Sequence, residues 1–275
     1  MAEVQDVSDP DDPRLDDFRD LNSIDRRPDL PTGKGLVIAE GVLVVQRMLA
    51  SRFAPLALLG TDRRLCELSA HLAGVEAPYY RVSADVMARV VGFHLNRGVL
   101  AAARRVPELS VAALVAGART VAVLEGVNDH ENLGSIFRNA AGLGVDAVVF
   151  GSGCADPLYR RAVRVSMGHA LRVPYAHTAQ WPGELNLLRQ HGFRLLAMTP
   201  SAAGQSLPAA MATVGEHRVA ILVGAEGPGL SATALRVSDL RVRIPMSRGT
   251  DSLNVATAAA LAFYERARTS FRLSP

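Results

Sequence analysis

The chain has 275 residues, of which 49% are hydrophobic, 21% charged and 5% aromatic, and its formal net charge is +3. These values are typical of a globular protein and exclude a disordered, a collagen-like or a disulfide-framed chain. The length is enough for two modest domains, each with a core that needs neither a metal nor a disulfide.

The charge is divided unevenly along the chain. Residues 1–20 contain eight acidic residues and two arginines, a net charge of −6, which leaves +9 for residues 21–275. A basic body is common among proteins that bind polyanions, although many other enzymes share it. Residues 1–35 are polar and rich in Asp and Pro, and we predict that they form an acidic, flexible leader.

The cysteine usage indicates a reducing compartment. Cys66 and Cys154 are far apart and belong to no Cys-x-x-Cys or Cys/His cluster, which disfavours a zinc site and a secreted disulfide scaffold. The longest apolar stretches, at 109–118 and 255–263, are too short or too interrupted by charge to span a bilayer. We therefore expect a cytoplasmic protein with no membrane role and no metal cofactor.

Residues 36–104 alternate between short apolar stretches and stretches with helical spacing. After an apolar pair at 37–38, the predicted elements are a helix over 39–51, a strand over 56–59, a helix over 64–72, a strand over 79–82, a helix over 84–91 and a strand over 98–103. The alternation predicts a small α/β domain over 36–104. Residues 105–118 are predicted to be a linker or a linking helix.

A second α/β series begins at residue 119. Its predicted strands lie at 121–124, 147–150, 194–198, 219–223 and 241–244, with helices between them and a last helix over 253–269. Continuous apolar runs such as VAVL, AVVF and VAILV are typical of strands that are buried on both faces. The second domain, over 119–275, is therefore predicted to contain a mostly parallel sheet with helices on each side.

Polar or glycine-rich loops follow three of these strands, and parallel sheets bind their ligands at such carboxyl ends. In the first loop, residues 125–138, Asn132 and Arg138 are six residues apart, slightly under two helical turns, so both can face the same end of the sheet. An isolated pair of this kind is more often a helix cap and a solvated arginine. The other two loops decide between these interpretations.

The second loop, residues 224–230, has the sequence GAEGPGL. Its glycines allow the backbone to approach a ligand closely and to adopt positive φ, and Glu226 places a carboxylate among them. The loop is not a dinucleotide-binding fingerprint, because it follows a late strand and carries an acid where a pyrophosphate would lie. This order of motifs disfavours a Rossmann-type nucleotide enzyme.

The third loop, residues 244–254, ends a strand with Ile244-Pro-Met and leads through Ser252-Leu-Asn into a run of small residues. Small residues allow two chain segments to pass at close range. We therefore expect another segment to pack tightly against residues 254–261.

Taken in order, the three motifs resemble those of the SpoU (TrmH) class of SPOUT methyltransferases. They are N-x-G-x-x-x-R-N-A at 132–140, L-V-G-A-E-G-x-G-L at 222–230, and I-P-M followed after five residues by S-L-N-V at 244–255. The resemblance implies a SPOUT fold over about 119–270, with a deep trefoil knot at the carboxyl end of the sheet. By pattern and position, residues 36–104 resemble the small L30e-like domain with which many members bind their RNA substrate.

The resemblance also implies an activity, the transfer of a methyl group from S-adenosylmethionine to a ribose 2′-hydroxyl in RNA. The implied cofactor-binding residues are Met198, Thr199, Gly224, Ile244, Met246, Leu253 and Asn254. The implied catalytic residue is Arg138, supported by Asn132, Glu226, Ser252 and Asn254. The sequence departs from the usual family pattern at 129–131, where a proline-containing turn is common, and at Ala256, where several relatives have serine.

The role of Arg138 has two possible explanations. A guanidinium is protonated at neutral pH, so it acts as a base only if the RNA phosphate tunes it. Otherwise Arg138 orients the phosphate and stabilises the developing oxyanion, and the proton leaves through another group.

The expected partners are RNA and a second copy of the chain, with no DNA and no membrane. The extra domain favours 23S rRNA over tRNA, and a tRNA enzyme or a catalytically silent RNA-binding relative are the alternatives. The candidate phosphate contacts are Arg26, Arg27, Arg63, Arg64, Arg97, Arg104, Arg105, Arg160, Arg161, Arg164 and Arg172. One hypothesis for the acidic leader is that it suppresses nonspecific RNA binding.

Overall fold

The structure is a computed structural model that describes residues 2–21, 34–247 and 249–269. The chain divides into two compact units. The first unit contains residues up to 107 together with 157–172, and the second contains 108–156 and the residues from 173 onward. Residues 157–172, which the sequence assigns to the second domain, thus pack with the first.

The first unit is a five-stranded mixed sheet with helices. In chain order it contains β1 (Val4–Asp6), a 3-10 helix (Pro13–Phe18), β2 (Leu36–Glu40), α1 (Val42–Leu49), β3 (Pro55–Gly60), α2 (Asp62–Leu68), a short 3-10 helix (Ser69–His71), β4 (Tyr79–Arg81), α3 (Ala84–Val91) and β5 (Val99–Arg104). The strand order is β1-β4-β3-β5-β2, in which β5 is antiparallel to both of its neighbours. The predicted helix over 39–51 begins later, at Val42, because Ala39 and Glu40 extend the buried strand β2.

Residues 2–21 are part of this unit, so the prediction of a flexible leader is wrong for them. Strand β1 pairs in parallel with β4, and Leu15, Phe18 and Leu21 are completely buried in the core of the unit. None of the acidic residues of this segment is buried, so its charged composition describes its solvent side, whereas the spaced apolar residues anchor it in the core. Residues 22–33 lie outside the described residues.

The second unit is built on a parallel sheet. The remaining elements are α4 (Val111–Val115), β6 (Thr120–Glu125), α5 (His130–Gly142), β7 (Ala147–Phe150), α6 (Arg160–Val165), a 3-10 helix (His169–Leu171), β8 (Tyr175–His177), α7 (Leu185–Gln190), β9 (Phe193–Met198), β10 (Gln205–Ser206), α8 (Leu207–Val214), β11 (Arg218–Gly224), α9 (Ala232–Val237), β12 (Leu240–Arg243) and α10 (Val255–Thr269). Of these, α6 and the 3-10 helix after it belong to the first unit.

The seven strands of the second unit lie in the order β10-β12-β9-β11-β6-β7-β8, and every described strand pair is parallel. The predicted α/β class with a mostly parallel sheet is confirmed. Strands β8 and β10 were not predicted, because they are short and lie at the two edges. The trefoil knot stays a prediction.

The predicted linker over 105–118 contains a short helix, α4. Ser110 caps it by accepting a hydrogen bond from the backbone N–H of Ala113 (3.2 Å), and Val111, Leu114 and Val115 are buried in the core of the second unit. Among the described residues, no helix is long and apolar enough to cross a membrane.

Candidate active site

The loops that follow β9, β11 and β12 surround a cavity of about 300 Å³ at the carboxyl edge of the second unit's sheet. The start of α10 completes its wall. The lining includes every residue predicted to bind the cofactor, namely Met198, Thr199, Gly224, Ile244, Met246, Leu253 and Asn254, and also Glu226 and Ser252. Sequence reasoning missed Pro200 and Ala258, which line the same cavity one residue after Thr199 and one helical turn after Asn254.

The glycine loop, residues 224–230, folds back on itself beside this cavity. The backbone N–H of Gly229 donates to the carbonyl of Ala225 (3.0 Å), and Gly227 and Gly229 have φ values of +87° and +70°. A Cβ atom on Gly224 would lie 2.2 Å from the carbonyl carbon of Gly229, so the fold of the loop requires glycine there. Glu226 is thereby held at the exposed tip of the loop.

Three polar side chains from the three predicted loops meet in what we call the polar triad, Asn132, Glu226 and Asn254. Both Asn132 Nδ2 (3.0 Å) and Asn254 Nδ2 (2.9 Å) donate to Glu226 Oε1, and Asn254 Nδ2 also lies 2.7 Å from Asn132 Oδ1. These residues are up to 122 positions apart in the chain. Glu226 Oε2 has no hydrogen-bond partner within the described part of the chain.

Two helix caps place the amides of the triad. Asn254 Oδ1 accepts from the backbone N–H groups of Ala256 (2.9 Å) and Thr257 (3.2 Å) at the start of α10. Helix α5 is capped by Asp129, which accepts from the N–H groups of Glu131 and Asn132 (2.9 and 2.8 Å). Asn132 is therefore not the cap of α5, and its side chain is available to Glu226.

Arg138 lies on α5 and is exposed. It makes no hydrogen bond or ion pair with any residue that the structure describes, and it is not among the residues that line the cavity. A protonated guanidinium without a protein partner is available to an anionic ligand.

Cys154 of the second unit is not an activated nucleophile. Burial raises the pKa of the Cys154 thiol, with a smaller contribution from the charge of Glu125, so little nucleophilic thiolate forms. No group of three or more His, Cys, Asp or Glu residues is placed to hold a metal ion within 2–21, 34–247 and 249–269.

The candidate phosphate contacts of the first unit differ in exposure. Arg63 has an exposed side chain that pairs with Glu67 (3.1 Å), whereas Arg160 is 11% exposed and donates to the buried carboxylate of Glu40 (2.6 Å). Arg160 is thus engaged within the fold. Arg26 and Arg27 lie outside the described residues.

The parallel sheet, the glycine loop and the polar triad together define an α/β enzyme whose ligands bind at the carboxyl edge of its sheet. Residues 119–264 match the model of the SpoU rRNA Methylase family. The chain belongs to this family and is by family an RNA methyltransferase.

Relatives match the chain over different shares of its length. An uncharacterized tRNA/rRNA methyltransferase of Mycobacterium bovis is 81% identical over 273 residues, which are 99% of this chain and 95% of the relative. The 23S rRNA (guanosine(2553)-2′-O)-methyltransferase RlmP of Bacillus subtilis is 31% identical over 67% of this chain and 71% of its own. The AdoMet-bound rRNA methyltransferase of Sinorhizobium meliloti has the same fold, with a TM-score of 0.80, 23% identity, and coverage of 98% of this chain and 99% of that one.

Proposed function

We propose that the protein transfers the methyl group of S-adenosylmethionine to a ribose 2′-hydroxyl of RNA, and that its substrate is 23S rRNA. The observation that carries this proposal is the meeting of all predicted cofactor residues around one cavity, next to the polar triad. The rRNA and 2′-O assignments are supported by the name of the Bacillus subtilis relative.

The cavity fits an adenosine-type cofactor. Its volume of about 300 Å³ is at the lower end of the range for small-molecule sites, and Ile244, Met246 and Leu253 supply apolar surface for a ring system. Gly224 allows the backbone of Gly229 to pack directly against it, and both residues line the cavity. When bound there, S-adenosylmethionine supplies a methyl group on a positively charged sulfur.

The chain's own residues would activate and orient the ribose. Arg138, always protonated and free of described protein partners, holds the RNA phosphate beside the reacting hydroxyl. The two amides of the polar triad bind one oxygen of Glu226, and Oε2 would then be available to accept the proton of the ribose hydroxyl. Arg138 is thus a positioning and charge-stabilising group rather than the base.

The first unit is proposed to be an L30e-like RNA-binding domain, and the second to form a homodimer. On helix α10, Leu261 is 40% exposed and Tyr264 is 48% exposed. These side chains form apolar surface that a second copy of the chain could cover. Sedimentation at micromolar concentration is expected to show a dimer, and a monomer would contradict this part of the proposal.

Ribose-methylation mapping of total RNA from cells with and without the gene tests the function. We expect one 2′-O-methyl mark in 23S rRNA to disappear and to return with the wild-type gene, but not with Arg138→Ala. Arg236→Ala, which changes an exposed arginine of α9 in the same unit, is the control and should restore the mark. A lost mark in tRNA would favour the tRNA alternative, and no lost mark together with no methyl transfer in vitro would favour a silent RNA-binding relative.

A further inference from the structure

A buried carboxylate that the proposed reaction does not use lies one strand away from the cavity. Glu125 is the last residue of β6, is 8% exposed, and is paired in the sheet with Gly224, the first residue of the glycine loop. Burying a carboxylate is costly unless hydrogen bonds compensate for the lost water. Within the described residues Glu125 has no cationic partner, so its position depends on neutral donors.

Two donors from distant parts of the second unit bind the two oxygens of Glu125. The indole Nε1–H of Trp181 donates to Oε1 (2.5 Å), and the backbone N–H of Ser231 donates to Oε2 (2.8 Å). Ser231 directly follows the glycine loop and caps α9 by accepting from the N–H of Ala234 (3.2 Å). Glu125 therefore fixes the glycine loop on both sides. Its backbone pairs with Gly224 in the sheet, and its carboxylate accepts from the N–H of Ser231 directly after the loop.

A glycine makes room for the indole ring of Trp181. A Cβ atom on Gly151, the residue after β7, would lie 2.6 Å from two atoms of the indole ring. The absence of a side chain there allows the ring to lie over the end of β7 and to reach Glu125. Neither Gly151 nor Trp181 lines the cavity.

We infer that Glu125 and Trp181 are positioning residues for the cofactor, and that they act by holding the glycine loop in the conformation that binds S-adenosylmethionine. The inference rests on the proposed function. A loop that is already ordered before binding loses less conformational entropy on binding, so loosening it lowers cofactor affinity. Because Trp181 is the one tryptophan of the sequence, its fluorescence reports on this link directly.

Three variants test the link at different points. Trp181→Phe keeps an aromatic ring but removes the N–H donor, Glu125→Gln replaces one acceptor by a donor, and Gly151→Ala displaces the indole without altering either partner. Each is expected to weaken S-adenosylmethionine binding by about tenfold in calorimetry, the effect of losing one hydrogen bond to a charged group. Trp181→Phe and Glu125→Gln combined should lose little more than either alone, since both break one link.

Hydrogen exchange of the cofactor-free protein provides a readout that does not depend on turnover. The backbone amides of Gly229 and Ser231 should exchange faster in each variant, while those of β6 and β11 keep their protection. In the wild type and in Gly151→Ala, cofactor titration should also change the Trp181 emission. Gly142→Ala, at a helical glycine with open space around its Cβ position, is the matched control for Gly151→Ala.

The outcomes separate this inference from the proposed function. If the wild-type protein binds no S-adenosylmethionine, the proposed function fails. If the wild type binds it and the folded variants bind equally well with unchanged exchange at Gly229 and Ser231, the positioning role is overturned. If Trp181→Phe does not fold, Glu125→Gln and Gly151→Ala decide the matter by the same two measurements.

Discussion

The two ends of the second unit's sheet use arginine in opposite ways. At the amino end, Arg266 is 2% exposed and donates to the carbonyls of Gly215 (2.6 Å) and His217 (2.7 Å) and to the hydroxyl of Thr120 (3.3 Å). On α5, the helix that begins at the carboxyl end, Arg138 is exposed and has no partner among the described residues. The amino end has its hydrogen-bonding capacity filled by the protein, whereas the carboxyl end keeps capacity for a ligand.

Arg218, the first residue of β11, is also held at the amino end by backbone carbonyls. Its guanidinium donates to the carbonyls of Ala118 (2.7 Å) and His191 (2.8 Å) and lies 4.5 Å over the centre of the Phe193 ring. It also donates to the carbonyls of Val115 and Ala116 at the end of α4, where carbonyls lack the i+4 partners of a helix interior. Filled donors stabilise a fold, whereas groups that the protein leaves open, such as the guanidinium of Arg138 and Glu226 Oε2, are available to a ligand.

The largest expected effect is on turnover at the carboxyl end. Arg138→Ala should lower kcat by about a thousandfold, or about 4 kcal/mol, because it removes the charge that stabilises the transition state. Unfolding by urea should change by less than about 0.5 kcal/mol, since an exposed side chain without partners contributes little to stability.

Arg138→Lys sharpens this test, because it keeps the charge but loses the planar fork of donors. We expect a large loss of turnover here too. Near-normal turnover of the lysine variant would make a specific guanidinium role untenable.

At the amino end the effect should be on stability instead. Arg266→Met should lower the free energy of unfolding by about 3 kcal/mol, because buried acceptors lose their donor. Arg268→Met, two residues later on the same helix, removes an exposed arginine that pairs with Glu265 (2.6 Å) and should change stability by less than about 1 kcal/mol. Urea denaturation measures both variants, and equal losses would contradict the proposed difference between buried and exposed arginines.

Two glutamates extend the comparison. Glu226→Gln keeps an oxygen for the two amides of the triad but removes the proton acceptor, and should lower kcat by about a hundredfold, the lower end of general-base effects. Glu216→Gln, at the amino end, alters an exposed residue 3.2 Å from Arg119 and should leave kcat unchanged. If the two variants have the same kcat, Glu226 does not accept the proton.

The sequence predicts one end of this unit better than the other. The buried strands and the cavity lining follow from apolar runs and from loops whose residue types are unusual for turns. The anchoring by Arg218 and Arg266 leaves no such signal, because their partners are mostly backbone carbonyls, which every residue type supplies. The role of Glu125 also leaves no local signal in the sequence, because its two donors lie 56 and 106 residues away in the chain.

In the first unit, the alternating pattern predicted most of the sheet but not the docking of residues 2–21. This segment buries a few apolar side chains while its carboxylates face solvent. The amino-acid composition of the segment does not separate these two sets of residues, so it indicated only a polar segment. Whether the chain forms the expected trefoil knot depends on how it is threaded, which local patterns do not report.

The smallest expected effect concerns the exposed ion pairs that accompany this docked segment. A side-chain hydrogen bond from Arg14 lowers the pKa of Asp12 to about 2, and one from Arg81 lowers the pKa of Asp6. A carboxyl whose pKa is lower in the folded than in the unfolded chain stabilises the fold above its unfolded pKa of about 4, and loses that contribution as the pH falls through the folded value. Limited proteolysis of the segment should therefore accelerate between about pH 4 and pH 2.

Asp12→Asn should reduce this acceleration, and Asp9→Asn, at a carboxylate without an ion pair in the described residues, should not. Equal acid profiles for all three proteins would contradict this prediction and show that the apolar anchors Leu15, Phe18 and Leu21 hold the segment without help from these pairs.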